Sequence, residues 1–222
     1  MKHMKHKKPL TIYLAIVFIA MMFVANIATT IRMVKAPQIR SERIMSLENR
    51  YPNEMVNSVF KDNILLTLSY MNDRVQDRGS VEWDKIVEPQ TYSMSLEPGE
   101  VFAFHEDVLG EYKESTVKTT NAHFNYSDGF KHDGYLMGDG VCHLASLLYW
   151  AAADAGLETE VPKNHDFAVI PEVPEEYGVS IYFTPGSPGV NAQQNLYVKN
   201  TFDEPVEFVI DFDGSDLKVQ VV

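Results

Sequence analysis

The chain has 222 residues, 19 of them basic and 31 acidic, with a net charge of −12 and one cysteine. A single cysteine excludes a disulfide-stapled scaffold and a multi-cysteine zinc site. Residues 1–43 hold eight of the basic residues and only one acid, Glu42, so the remainder carries 11 basic against 30 acidic residues. Such a surface repels nucleic acid and anionic polymers.

Pro9 to Ile31 is an uncharged, largely apolar run of 23 residues behind Lys2, Lys5, Lys7 and Lys8. About 20 apolar residues cross a bilayer as a helix. Signal-peptide apolar regions are shorter, about 7–15 residues, so length favours a retained anchor over cleavage near Ala25-Asn26-Ile27-Ala28. The basic tail predicts a cytoplasmic N-terminus and an extracytoplasmic remainder. The expected organisation is a tail (1–8), a transmembrane anchor (9–31), a stalk (32–56) that is helical in part across Ser41–Arg50, and a domain (57–222).

Val59, Ile64, Leu65, Leu68 and Met71 recur at helical spacing and predict a helix over Asn57–Arg74. Tyr92–Leu96 and Val101–Phe104 flank a Pro98-Gly99 turn and read as strands. Residues 112–140 read as loop. A second helix is expected over Cys142–Ala155, with Leu144, Leu148, Ala151, Ala152 and Ala155 on one side and Gly156 as its stop. Its apolar surface is too wide for an exposed helix. Phe167–Ile170, Val179–Phe183, Asn195–Lys199, Val206–Ile210 and Leu217–Val222 read as strands, the last two joined by a hairpin turn at Phe212-Asp213-Gly214-Ser215. The fold class is α+β: a buried cysteine-bearing helix on a mostly antiparallel sheet, preceded by the transmembrane helix.

Several ordered motifs run from Asn57 to the C-terminus: Asp62-Asn63-Ile64, Pro98-Gly99-Glu100-Val101-Phe102-Ala103-Phe104, Gly138 to Tyr149 with Ala151-Ala152 and Ala155-Gly156-Leu157, His165, and Asn195 to Thr201 with Pro205-Val206. Together they resemble the VanW-like family of bacterial surface proteins, named after a protein encoded with some glycopeptide-resistance systems. The resemblance implies a cell-envelope location and settles no activity. The chain departs from the family pattern at His143 (often Gln) and Asp166 (often Ser), and at Gly178 if Val179-Ser180-Ile181 is the strand that an aspartate commonly precedes.

Cys142 and His165 are the sharpest chemical candidates. A cysteine at a helix N-terminus with a histidine on a later segment is the layout of papain-like and transglutaminase-like thiol enzymes. There an imidazole takes the thiol proton and the thiolate attacks an amide carbonyl. A third polar group normally orients the histidine. Asn195, Glu176 and Asp166 are the available substitutes for the acid absent at Gly178. The plainer reading is a buried cysteine acting as a small apolar residue, with His165 bonded to backbone.

Asp139, Gly140, His143 and Tyr177 are candidate binding residues around Cys142, and Tyr135, Tyr149, Trp150 and Tyr182 could join a saccharide or peptide groove. His123, His132, Asp133, Asp139, Cys142 and His143 include ligating types without a recognised metal spacing, so no metal site is assigned. Asp211, Asp213 and Asp216 around Gly214 lack the length of a calcium loop. Asn125-Tyr126-Ser127 matches a glycosylation sequon by pattern alone. No cofactor is implied. Two functions stay open: a non-catalytic, wall-associated module binding a cell-wall peptide or glycopeptide, with the membrane as its other partner, or a thiol enzyme cutting or transferring amide bonds in wall peptides.

Overall fold

Among the described residues two long helices and two four-stranded sheets enclose the core. The computed structural model describes residues 38–75, 77–134 and 138–222, and one compact unit runs from Ile39 to Val222. Helix α1 (Glu54–Met71) starts earlier than its apolar spacing suggests because the Asn53 side chain caps it, accepting from the Met55 N–H at 2.9 Å. It buries Val59, Ile64, Leu65, Leu66 and Leu68. After a short turn of helix, α2 (Trp83–Ile86), comes strand β2 (Gln90–Leu96), then β3 (Val101–Ala103) and β4 (Val117–Lys118).

Helix α3 (Val141–Asp154) is the cysteine helix. It starts at Gly140, whose φ is +99°. A Cβ at Gly140 would lie 2.7 Å from the Phe60 carbonyl oxygen, so the two long helices approach there to a distance only glycine permits. Its C-terminus closes as the sequence predicts. Gly156 adopts φ +82°, its N–H reaches Ala153 O at 3.0 Å, and Leu157 N–H reaches Ala152 O at 3.1 Å. That pair of bonds is the left-handed helix stop that Gly favours. Leu144, Leu147, Leu148, Ala151 and Ala152 are buried, and α3 packs against strands β1 (Ser41–Ser46) and β8 (Asp216–Val221) and helix α1. Each leucine stabilises the fold by about 2 kcal/mol through burial.

The first sheet has the order β1 (Ser41–Ser46), β8 (Asp216–Val221), β7 (Val206–Phe212), β2, all antiparallel. Its β7–β8 hairpin turns on Asp213, whose Oδ1 accepts from Ser215 N–H at 2.9 Å and Asp216 N–H at 2.8 Å. These bonds hold the Asp213 carboxyl below its usual range, so the acidic run is turn chemistry. The second sheet has the order β4, β3, β6 (Tyr197–Lys199), β5 (Glu158–Glu160), with only β3 and β4 parallel. A last short helix, α4 (Pro188–Asn191), precedes β6.

Three expectations are corrected. Ser41–Ser46 is an edge strand, β1, and not part of a helical stalk. Its Arg43 pairs with Asp154 and lies over Trp150, contacts too distant in sequence to be read locally. Phe167–Ile170 and Val179–Phe183 form no regular strands. Phe167 and Val169 are 65% and 84% exposed, and the Val179 and Ile181 N–H groups bond to α3 side chains while Ser180 N–H bonds Lys163 O at 3.0 Å, with no strand alongside among the described residues. Finally, among the described residues no helix is long and apolar enough to cross a membrane. The transmembrane helix, the membrane partner and the single-pass, extracytoplasmic placement drawn from it are corrected accordingly. Pro9–Ile31 lies outside the described residues.

Candidate functional site

The N-terminus of α3 opens onto a cavity of about 460 Å³. Tyr51 and Phe60 wall it from the α1 side, Gly138 to His143 form its floor, and His165, Phe167, Ala168 and Ile181–Phe183 close it. A larger hollow, about 810 Å³, lies between Glu106–Thr119 and Pro188–Gln193 and contains none of the cysteine–histidine chemistry.

Cys142 and Ser146 stand one turn apart on α3 and face the extended segment Val179–Ile181. Ser146 Oγ accepts from Val179 N–H at 2.9 Å, and Cys142 Sγ accepts from Ile181 N–H at 3.4 Å. The thiol lies 3.6 Å from the Ile181 carbonyl oxygen, to which it donates. Burial pushes the thiol up to about 11, with the negative charge of Asp139 adding to the shift. A helix N-terminus alone would lower it. Here desolvation wins.

His165 is buried and lines the same cavity. Its Nδ1 bonds Ala168 O at 3.0 Å, and among the described residues no hydrogen bond joins its ring to Cys142 Sγ. Burial holds the imidazole below the usual histidine range. Phe167 packs on the ring at 3.9 Å between centroids. Gly178 packs behind it. A Cβ there would meet His165 O at 3.0 Å and His165 Cβ at 3.3 Å, so a side chain at this position would crowd the histidine.

His143, next to Cys142 in sequence, turns into the same cavity. Its Nδ1 lies 3.2 Å from Arg50 Nη2 and its Nε2 lies 3.4 Å from Tyr51 Oη. Burial, then the charge of Arg50, then His165 hold its pKa well below the ordinary value. The Arg50 guanidinium is itself buried and binds Glu172 at 2.8 Å and Pro171 O at 3.1 Å.

Asp139 sits on the cavity floor. Burial raises its carboxyl to about 6, while its Oδ2 accepts from Asp133 N–H at 3.0 Å. Its backbone oxygen takes the Asn63 side chain at 2.8 Å.

The remaining candidates fall elsewhere. Asn195 is fully buried and clamps the 105–107 turn, donating to His105 O at 3.1 Å and Asp107 O at 3.0 Å. Tyr177 stacks on Trp150 at 5.7 Å and meets Tyr149 edge-on. Glu176 lies in the turn before Gly178, and Asp166 borders a smaller cavity of about 260 Å³ behind His165. Tyr182 lines the main cavity, and Tyr135 lies outside the described residues. Among the described residues no three His, Cys, Asp or Glu side chains converge as a metal site.

Sequence reasoning missed Arg50, Tyr51, Phe60 and Phe124. All precede or lie far from the cysteine helix, and no local pattern points to them.

A sequence model of the family described as VanW like protein matches residues 86–222. The chain belongs to the VanW-like family. The match begins later than the motifs alone suggest, at residue 86, and takes in β2 through β8. The VanW-like stretch thus supplies Cys142, His143, His165 and Ile181, while Tyr51 and Phe60 reach the cavity from ahead of it. No curated protein and no solved structure matches the chain.

Proposed function

We propose that this VanW-like domain is a non-catalytic binding module whose ligand occupies the aromatic cavity at the N-terminus of α3. The observation that carries the reading is the state of Cys142. Its sulfur is bonded on both sides to the Ile181 main chain. Burial raises the thiol's pKa well above the usual cysteine value, so the thiolate is a minor form at neutral pH. A thiol enzyme needs a base within hydrogen-bond reach of the sulfur. His165 instead gives its Nδ1 to Ala168 O. The cavity that remains, with aromatic walls and a few polar groups, has the composition of a small-ligand site.

Alkylation of the folded protein tests this. The rate constant for iodoacetamide is expected to climb with pH past about 9 and level only near 11. A plateau below about pH 8 would mark an activated thiolate and overturn the reading. In cells, Cys142→Ala is expected to retain function while Phe167→Ala or Tyr182→Ala loses it. The reverse pattern would favour the thiol enzyme.

A further inference from the structure

The two cavity histidines are fixed in opposite tautomers. A guanidinium can only donate, so the Arg50 Nη2 contact at 3.2 Å puts the lone pair of His143 on Nδ1 and its proton on Nε2. A carbonyl can only accept, so the Ala168 contact at 3.0 Å puts the proton of His165 on Nδ1 and leaves Nε2 bare. His143 Nε2–H faces the Tyr51 hydroxyl oxygen at 3.4 Å and donates to it. The hydroxyl proton of Tyr51 then has no acceptor among the described residues, and His165 Nε2 has no donor among them. His165 is only 8% exposed. Tyr51, His143 and His165 all line the cavity, with the two imidazoles 6.4 Å apart between centroids and nearly perpendicular.

One wall therefore offers a neutral donor and the other a neutral acceptor. A carboxylate brings only acceptors and an ammonium only donors. Either would leave one wall unmatched in a site where an unmatched polar group is costly. A secondary amide brings one of each, uncharged, pointing in opposite directions within one plane. The geometry points to a secondary amide as the ligand group, its C=O accepting from Tyr51 O–H and its N–H donating to His165 Nε2. This inference rests on the binding reading above. Peptide backbone and N-acetylated sugars both supply such a group.

Nitrogen-15 spectra of the labelled full chain at about pH 7.5 give the first test. His143 is expected to carry its proton on Nε2 and His165 on Nδ1. The same tautomer at both, or an imidazolium at either, overturns the inference. The second test titrates N-acetyl-alanine methylamide, the same compound methylated on both nitrogens, N-acetylglucosamine and indole. The secondary amides are expected to move the His165 Nε2 resonance. The doubly methylated compound should bind about tenfold more weakly, the size of one hydrogen bond. Tyr51→Phe and His165→Phe should each reduce that discrimination. A response to the peptide amide alone or to the sugar alone supports the inference and names the source. Equal binding of the methylated compound overturns it. Binding of indole without either amide overturns the amide assignment and leaves the binding module standing. Binding of none of the four removes both.

Discussion

Gly140 and Gly178 show how single residues set the site. Gly140 combines φ +99° with an approach of 2.7 Å to the Phe60 carbonyl oxygen for any added Cβ. Gly140→Ala is expected to cost about 3 kcal/mol, from left-handed strain and helix displacement together. Urea unfolding of the variant measures it, and an unchanged midpoint would refute the close helix approach. Gly178 packs against His165, where an added Cβ would lie 3.0 Å from the histidine's carbonyl oxygen. Gly178→Ala should cost about 1–3 kcal/mol by overpacking and should shift the His165 ring resonances. Loss of stability with those resonances unmoved would show that Gly178 does not position the ring.

The arrangement that ties α3 to the cavity wall belongs to the scale of the element. Cys142 and Ser146 are four residues apart and therefore project from one face of the helix. Val179 and Ile181 are two apart and present their N–H groups on one side of extended backbone. The two periods match, so one helix face holds a segment that lacks a neighbouring strand. Val179 N–H and Ser146 are both buried. Ser146→Ala leaves that donor unsatisfied and should cost about 1–3 kcal/mol. Sulfur accepts more weakly, so Cys142→Ala should cost less. Hydrogen exchange reads the difference: the Val179 amide should exchange faster in Ser146→Ala, and unchanged protection there would mean the segment is held by other contacts. The apolar run Val179–Phe183 suggested a strand, and none forms there. What the pattern could not show is that the Val179 and Ile181 N–H groups bond to helix side chains.

At the scale of the whole molecule, buried neutral histidines link stability to pH. Burial lowers the pKa of His105, His143 and His165 from 6.5. The unfolded chain takes up protons near 6.5 while the folded one resists them. Their stabilisation is complete above 6.5 and declines as pH falls toward the folded values. Asp139, raised from 3.8 to about 6, acts in the opposite sense between those two values, because its folded form takes up the proton first. Three histidines oppose one aspartate, so the urea midpoint should be lower at about pH 5.5 than at about pH 7.5. A midpoint that holds or rises on acidification would show that these imidazoles are not kept neutral by the fold.

The cysteine helix, its Gly156 stop and the β7–β8 hairpin were legible in the sequence, because each rests on spacings within a few turns of chain, and the family was legible from the order of several such motifs. The strand Ser41–Ser46 was not. Its charged residues look solvated until Arg43 meets Asp154 and Trp150 across the fold. Nor was the cavity, whose walls come from Tyr51, Phe60, His143, His165 and Ile181. Local pattern fixes where a helix starts and where a turn falls. Whether a thiol at a helix start is reactive or inert depends on how much water the packed segments exclude and on which donors they bring to it, and only the tertiary structure decided that Cys142 binds Ile181 and not His165.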